Sequence, residues 1–196
     1  MKLSSALVGA AAIAVLAAAP ASAHKTMHRH AAMHATNHNP IVGGAAMLPT
    51  RNIVENAVNS RDHTTLVAAV QAAGLVDTLS GPGPFTVFAP TNAAFNRLPA
   101  GTVATLVKPE NKDTLTSILT YHVVPGTITG AQIAAMIRAG HGRAMLTTVN
   151  GEKLTASMHG SGIMLTDAKG GMAMVTIANV MQSNGVIHVI DHVLMP

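Results

Sequence analysis

Five histidines, His24, His28, His30, His34 and His38, crowd the stretch 24–38, with Met27 and Met33 among them. Imidazole is a ligand for copper, zinc and nickel, and thioether sulfur adds a preference for copper. His24/His28, His30/His34 and His34/His38 stand four apart, so a transient helix would bring each pair onto one face. The stretch is therefore a candidate Cu-, Zn- or Ni-binding tail with these five histidines as ligands. If the chain is processed after Ala23, the third residue is Thr26, so the tight amino-terminal copper motif with histidine third is absent. The same composition also describes a polar spacer that meets metals only opportunistically.

Other chemistry-bearing residues are sparse. Cysteine is absent, which removes thiolate catalysis and disulfide stapling. Ser161 has glycine on each side but His159 two positions before it, so it does not form a Gly-x-Ser-x-Gly nucleophile elbow. There is no His-Glu-x-x-His, phosphate loop or dinucleotide fingerprint. Carboxylates are few and scattered, and the arginines show no anion-binding spacing. His122 and His188 lie among aliphatic residues, as hydrogen-bonded core histidines do. The C-terminal half holds Met145, Met158, Met164, Met172, Met174, Met181 and Met195. Such residues usually fill core gaps; Met172 and Met174 share a strand face, which alone makes no site. The expected class is non-catalytic.

The elements that would position these residues follow a mature exported chain. Lys2 precedes an uncharged Ala/Leu/Val/Ile run, Pro20 breaks it, and Ala21-Ser22-Ala23 has the small residues of a cleavage site. Residues 1–23 are expected to be a signal peptide, placing the protein in the periplasm or outside the cell. No later stretch is apolar enough to span a bilayer once the signal is removed. Residues 24–46 are expected to be a flexible tail, because alanine-dominated apolar content repays little ordering. Residues 47–196 are expected to be one domain, large enough to fold on its own core. From Met47 onward nine Lys and Arg face eight Asp and Glu, and aromatics are limited to Phe85, Phe88, Phe95 and Tyr121. Neither the basic footprint nor the stacking platforms of a nucleic-acid protein are present.

Within the domain, apolar spacing predicts helices at about Asn52–Val58, with Val54, Ala57 and Val58 inward, and at Thr64–Ala73, stopped by Gly74. Shorter helices follow after Thr91, at about Thr102–Val107 and Glu110–Leu119, and at Ala131–Arg138. Phe85–Ala89 and Tyr121–Val124 read as extended. From Arg143 the period changes to two, giving strands at about Ala144–Val149, Lys153–Ser157, Ile163–Thr166, Ala173–Val180 and Val186–Ile190. Asn150-Gly151 and Asn184-Gly185 are turns. Helices gather early and strands late, which argues an α+β fold.

Three stretches, in order, resemble the fasciclin-like domain family. They are Gly83-Pro84-Phe85-Thr86-Val87-Phe88-Ala89-Pro90-Thr91-Asn92-Ala93-Ala94-Phe95, then Tyr121-His122-Val123-Val124-Pro125-Gly126, then Asn184-Gly185-Val186-Ile187-His188-Val189-Ile190-Asp191. The resemblance implies a wedge: a twisted antiparallel β-sandwich with helices packed along one edge. It also implies adhesion through a protein or a cell-surface or matrix component. In animal members the Tyr121-His122 region, flanked by branched aliphatics, is linked to integrin binding. A second adhesion element is an Asp-Ile pair, whose matching position here is Asn179-Val180, without the charge. Tyr121, His122, Asn179 and Val180 are therefore the candidate partner-contact residues. The alternative for Tyr121 and His122 is a buried structural pair.

Overall fold

The computed structural model describes residues 40–196. Its framework is one curled seven-stranded sheet with helices over it, the mixed α and β architecture expected. The chain opens with a two-stranded hairpin, β1 (Ile41–Val42) and β2 (Ala45–Ala46). Helices α1 (Ile53–Asn59), α2 (Thr64–Ala73) and α3 (Val76–Ser80) follow. Strand β3 (Phe85–Pro90) leads to α4 (Asn92–Asn96), α5 (Thr102–Leu106) and α6 (Lys112–Tyr121). Then come β4 (Val123–Pro125) and α7 (Gly130–Ala139). The chain closes with β5 (Arg143–Thr147), β6 (Lys153–His159), β7 (Gly162–Thr166), β8 (Met172–Gln182) and β9 (Gly185–Ile190).

The sheet order is β4-β3-β9-β8-β7-β6-β5. Local turns make β5 to β9 a meander of antiparallel neighbours. β3 pairs with β9 in parallel, Phe85 to Gly185 through Pro90 to Ile190, so the sheet is not wholly antiparallel. This pairing sets two family-like blocks side by side inside the sheet, next to its β4 edge. Both strands are buried along nearly their whole length, which explains their unbroken apolar character. The pairing needs close backbones at its start. A Cβ on Gly185 would collide with the Phe85 carbonyl, and one on Gly83 with the Asn184 carbonyl.

Two apolar clusters lie against the sheet. One gathers Ile53, Leu66, Val70, Leu79, Val87 and Ile187 beneath α1, α2 and α3. The other gathers Phe88, Tyr121, Ile133, Ile137, Leu154 and Leu165 between α7 and the meander. Asn184 ties the first cluster's backbone together. Its Oδ1 accepts from Ile53 N at 3.0 Å, and its Nδ2 donates to Leu79 O at 2.8 Å and Gly81 O at 2.9 Å. The turn asparagine of Asn184-Gly185 is thus also a three-way tether.

Two sequence expectations need correction. The domain does not begin at Met47, because the β1–β2 hairpin belongs to it. Val42 is 3% exposed and packs in the first cluster, Met47 N donates to Pro40 O at 2.9 Å, and Arg61 N donates to Gly43 O at 3.1 Å. One buried valine and cross-chain hydrogen bonds hold a segment whose composition alone repays little ordering. In α1 Ile53 and Asn56 are the buried residues, Val54 packs at the edge of the first cluster as expected, and Val58 is 57% exposed. Asn56 is buried because its side chain accepts from Leu48 N and donates to Leu48 O and Gln182 Oε1.

Candidate functional site

Tyr121 and His122 stand at the junction of α6 and β4, where helix becomes strand. Both are buried, at 0% and 2% exposed. The Tyr121 hydroxyl donates to Lys153 O at 3.0 Å and accepts from Ala168 N at 3.0 Å, bridging β6 to the loop after β7. Burial pushes this phenol above its ordinary ionisation range. His122 Nδ1 lies 2.8 Å from Ile118 O, and Nε2 accepts from Leu194 N at 3.0 Å. A carbonyl can only accept and a backbone N–H can only donate. These partners therefore fix the neutral tautomer with the proton on Nδ1. Burial lowers its pKa to about 4, against smaller upward pulls from the Ile118 carbonyl and Asp167.

Asp167 completes this corner. Its Oδ1 accepts from Lys169 N at 3.0 Å and Gly171 N at 2.6 Å, and its Oδ2 accepts from Met195 N at 2.9 Å. Together His122 and Asp167 hold Leu194 and Met195 against α6. Above them lies a shallow groove lined by Asp113, Thr114, Ser117, Lys169, Met195 and Pro196. Sequence reasoning missed this groove, because its walls come from α6, the β7–β8 turn and residues 195–196.

Asn179 and Val180 sit at an irregularity of β8, where the register with β9 shifts between Ile177 and Val180. Asn179 is exposed and takes a left-handed φ of 62°. Its Oδ1 accepts from Gly130 N at 2.7 Å, the first residue of α7, so it helps cap that helix. Val180 is 1% exposed and belongs to the core. Next to this bend His188 is 0% exposed and stacks on Phe88 with ring centroids 5.6 Å apart. His188 Nε2 donates to Ile128 O at 2.9 Å, and Nδ1 accepts from Asn179 N at 3.4 Å.

Of the four candidate contact residues, only Asn179 reaches solvent. The side chains of Tyr121, His122 and Val180 point inward, which corrects the expectation that they touch a partner. The two pairs do not form one surface. Phe88 lies between them, donating its N–H to His122 O at 2.9 Å while stacking on His188. The candidate metal ligands His24, His28, His30, His34 and His38 lie outside the described residues. Among the described residues no three His, Asp or Glu side chains gather closely enough to hold an ion.

One contact has the form of a nucleophile and base. Ser60 Oγ lies 2.8 Å from His63 Nδ1. Ser60 and His63 are 2% and 3% exposed, and Nε2 of His63 has no hydrogen-bond partner to orient the ring. The hairpin covers the pair so closely that a Cβ on Gly43 would collide with Ser60 Oγ. Both groups are thus buried beneath the hairpin, beside a small apolar pocket lined by Val42, Met47 and Ile53.

Comparison with known proteins gives three findings. The family model described as "Fasciclin domain" matches residues 61–196. The chain is 48% identical over 166 residues to protein sll1483 of Synechocystis, covering 85% of each, and 34% identical to cell surface glycolipoprotein MPB83 of Mycobacterium bovis, covering 86% of this chain and 71% of that one. In three dimensions it resembles a FAS1 domain pair from the insect cell adhesion molecule fasciclin I. The TM-score is 0.51 at 24% identity, over 64% of this chain and 42% of that one, a likeness of fold.

Proposed function

This chain belongs to the fasciclin domain family, and on that premise we propose that it is a non-catalytic, exported binding module, attaching to a protein or cell-surface component in the periplasm or outside the cell. The observation that carries this reading is the corner at α6. The family-like Tyr121-His122 pair is internal, yet His122 holds Leu194 and Asp167 holds Met195, and so they shape the open groove of Asp113, Thr114, Ser117, Lys169, Met195 and Pro196. A block that builds a surface without offering a reactive group fits a docking module better than an enzyme. The cell-surface relative and the export-type N-terminus support the compartment. No helix among the described residues is long and apolar enough to cross a membrane.

The test is binding of the mature chain to envelope and extracellular-matrix preparations, beside a Thr114→Arg/Ser117→Arg variant. Both positions are on the solvent side of α6, so the fold should survive. The variant should lose at least tenfold in binding with an unchanged melting temperature. Equal binding by both would refute the groove. Esterase, glycosidase or peptidase turnover that survives repurification and is lost in Ser60→Ala would overturn the non-enzyme reading.

A second reading rests on the five tail histidines: metal handling, with Cu, Zn or Ni held by His24, His28, His30, His34 and His38. Binding would weaken below about pH 6 as the imidazoles protonate. Calorimetry on the mature chain and on one lacking residues 24–39 separates the readings. Equal heats would remove the tail from the account, and surface binding would be unaffected by that result.

A further inference from the structure

Methionines of the C-terminal half are not in the core. Met145, Met158, Met172 and Met181 are 55%, 41%, 58% and 41% exposed, and Met164 and Met174 are half-buried. Met47 alone among the described methionines is buried. Strand alternation explains how this comes about. Leu154 and Ala156 of β6, Ile163 and Leu165 of β7, and Ala173 of β8 face inward. Their alternates, Thr155, Ser157 and His159, Met164 and Thr166, and Met172 and Met174, therefore face outward.

The register then assembles these side chains into rows. Ser157 pairs with Met164, and Met164 with Met174; one step along, Thr155 pairs with Thr166, and Thr166 with Met172. Met164 and Met174 are thus direct cross-strand neighbours, with Cβ atoms about 5 Å apart, and Met172 is the diagonal neighbour. Gly162 adds an independent observation. A Cβ there would lie 3.1 Å from Met174 Cε, so the thioether end of Met174 occupies the space over the glycine. Gly162 pairs with His159, whose imidazole is on the same outward face. Met164, Met174 and His159 therefore border the space over Gly162, with Met172 on the far side of the Met164–Met174 pair from His159. Met145 stands apart on β5, where its Sδ accepts from Thr155 Oγ1 at 3.4 Å.

The donor set is selective. The carboxylate beside these rows, Asp191 next to Met174, is already taken up by Met174 N, Arg97 and His192, so hard cations such as Ca(II) and Mg(II) find no free anchor, and Zn(II) lacks the thiolates or paired imidazoles it favours. Neutral, polarisable sulfur suits soft monovalent ions. We propose that the outward face of β7 and β8 beside Gly162 is a site for Cu(I) or Ag(I), held by the Sδ atoms of Met164 and Met174, with His159 as the adjoining nitrogen donor. The site is built from domain residues and does not depend on the tail or on the binding groove.

Silver titration of the full mature chain, carrying ¹³C-labelled methionine methyls, tests it by NMR. Ag(I) should shift the Cε signals of Met164 and Met174 together and before those of Met136, Met172 and Met181, and Zn(II) should leave the two unmoved. A Met164→Leu/Met174→Leu variant keeps side-chain volume and should lose at least tenfold in Ag(I) affinity at this face. Uniform shifts of all exposed methionines, or undiminished affinity at this face in the variant, would overturn the proposal. If the variant does not fold, the order of shifts in the native chain decides.

Discussion

Lowering the pH should destabilise this protein through His122, by an amount the structure sets. In the fold the imidazole is neutral, with its Nδ1 proton on Ile118 O and its Nε2 accepting from Leu194 N. Burial lowers its pKa from 6.5 to about 4. Above pH 6.5 the ring is neutral whether the chain is folded or not, and stability is unaffected. Between pH 6.5 and 4 the unfolded chain binds a proton that the folded chain refuses. Stability then falls by about 1.4 kcal/mol per pH unit, reaching about 3 kcal/mol near pH 4, where the folded ring also begins to protonate. Protonation there would also cost the Leu194 bond, since Nε2 could no longer accept. His63 and His188 are lowered by burial in the same direction and deepen the total loss. A His122→Gln variant isolates the one residue. Urea unfolding at pH 7.5, 6, 5 and 4 should show native and variant chains differing at high pH, with the gap closing by about 3 kcal/mol on acidification. A gap independent of pH, or an NMR titration of His122 in the folded chain near 6.5, would refute the reasoning.

Tyr121→Phe keeps the ring but strands the Ala168 N–H and Lys153 carbonyl, and should cost about 1–3 kcal/mol in urea unfolding. Tyr121→Ala removes the ring as well and should cost about 3–5 kcal/mol. Asn184→Ala deletes three hydrogen bonds to Ile53, Leu79 and Gly81, with an expected loss of about 3 kcal/mol and no change in fold by circular dichroism. Limited proteolysis should leave a resistant core beginning at or before Pro40, since Val42 is packed inside; a core starting at Met47 with undiminished stability would show that the hairpin adds nothing.

Much of the local structure was legible in the amino-acid order, because it depends on neighbours within a few residues. Helix α2 runs Thr64–Ala73 as its apolar spacing implies, and Gly74 stops it with φ 73°. The strands after Arg143 lie within a few residues of where the period of two places them. The three family-like blocks pointed to the fold for the same reason: their turn glycines and apolar runs are what the parallel β3–β9 pair needs. The methionines are the exception: by residue type they are expected to fill core gaps, whereas Met145, Met158, Met172 and Met181 are exposed.

The rest needed tertiary structure, because burial is decided by what comes from far along the chain. A Tyr-His pair looks the same in sequence as a contact or as a core residue. Here Lys153, Ala168 and Leu194, lying 32 to 72 residues away, take up its polar atoms and turn it inward. Val42 carries too little apolar area to order a hairpin by itself, and only the cluster under α1 and α2 makes it part of the domain. Alternation can say that Met164 lies on the other side of its strand from Ile163 and Leu165. Only the pairing of β7 with β8 sets it beside Met174, since register is a relation between two strands and belongs to neither alone.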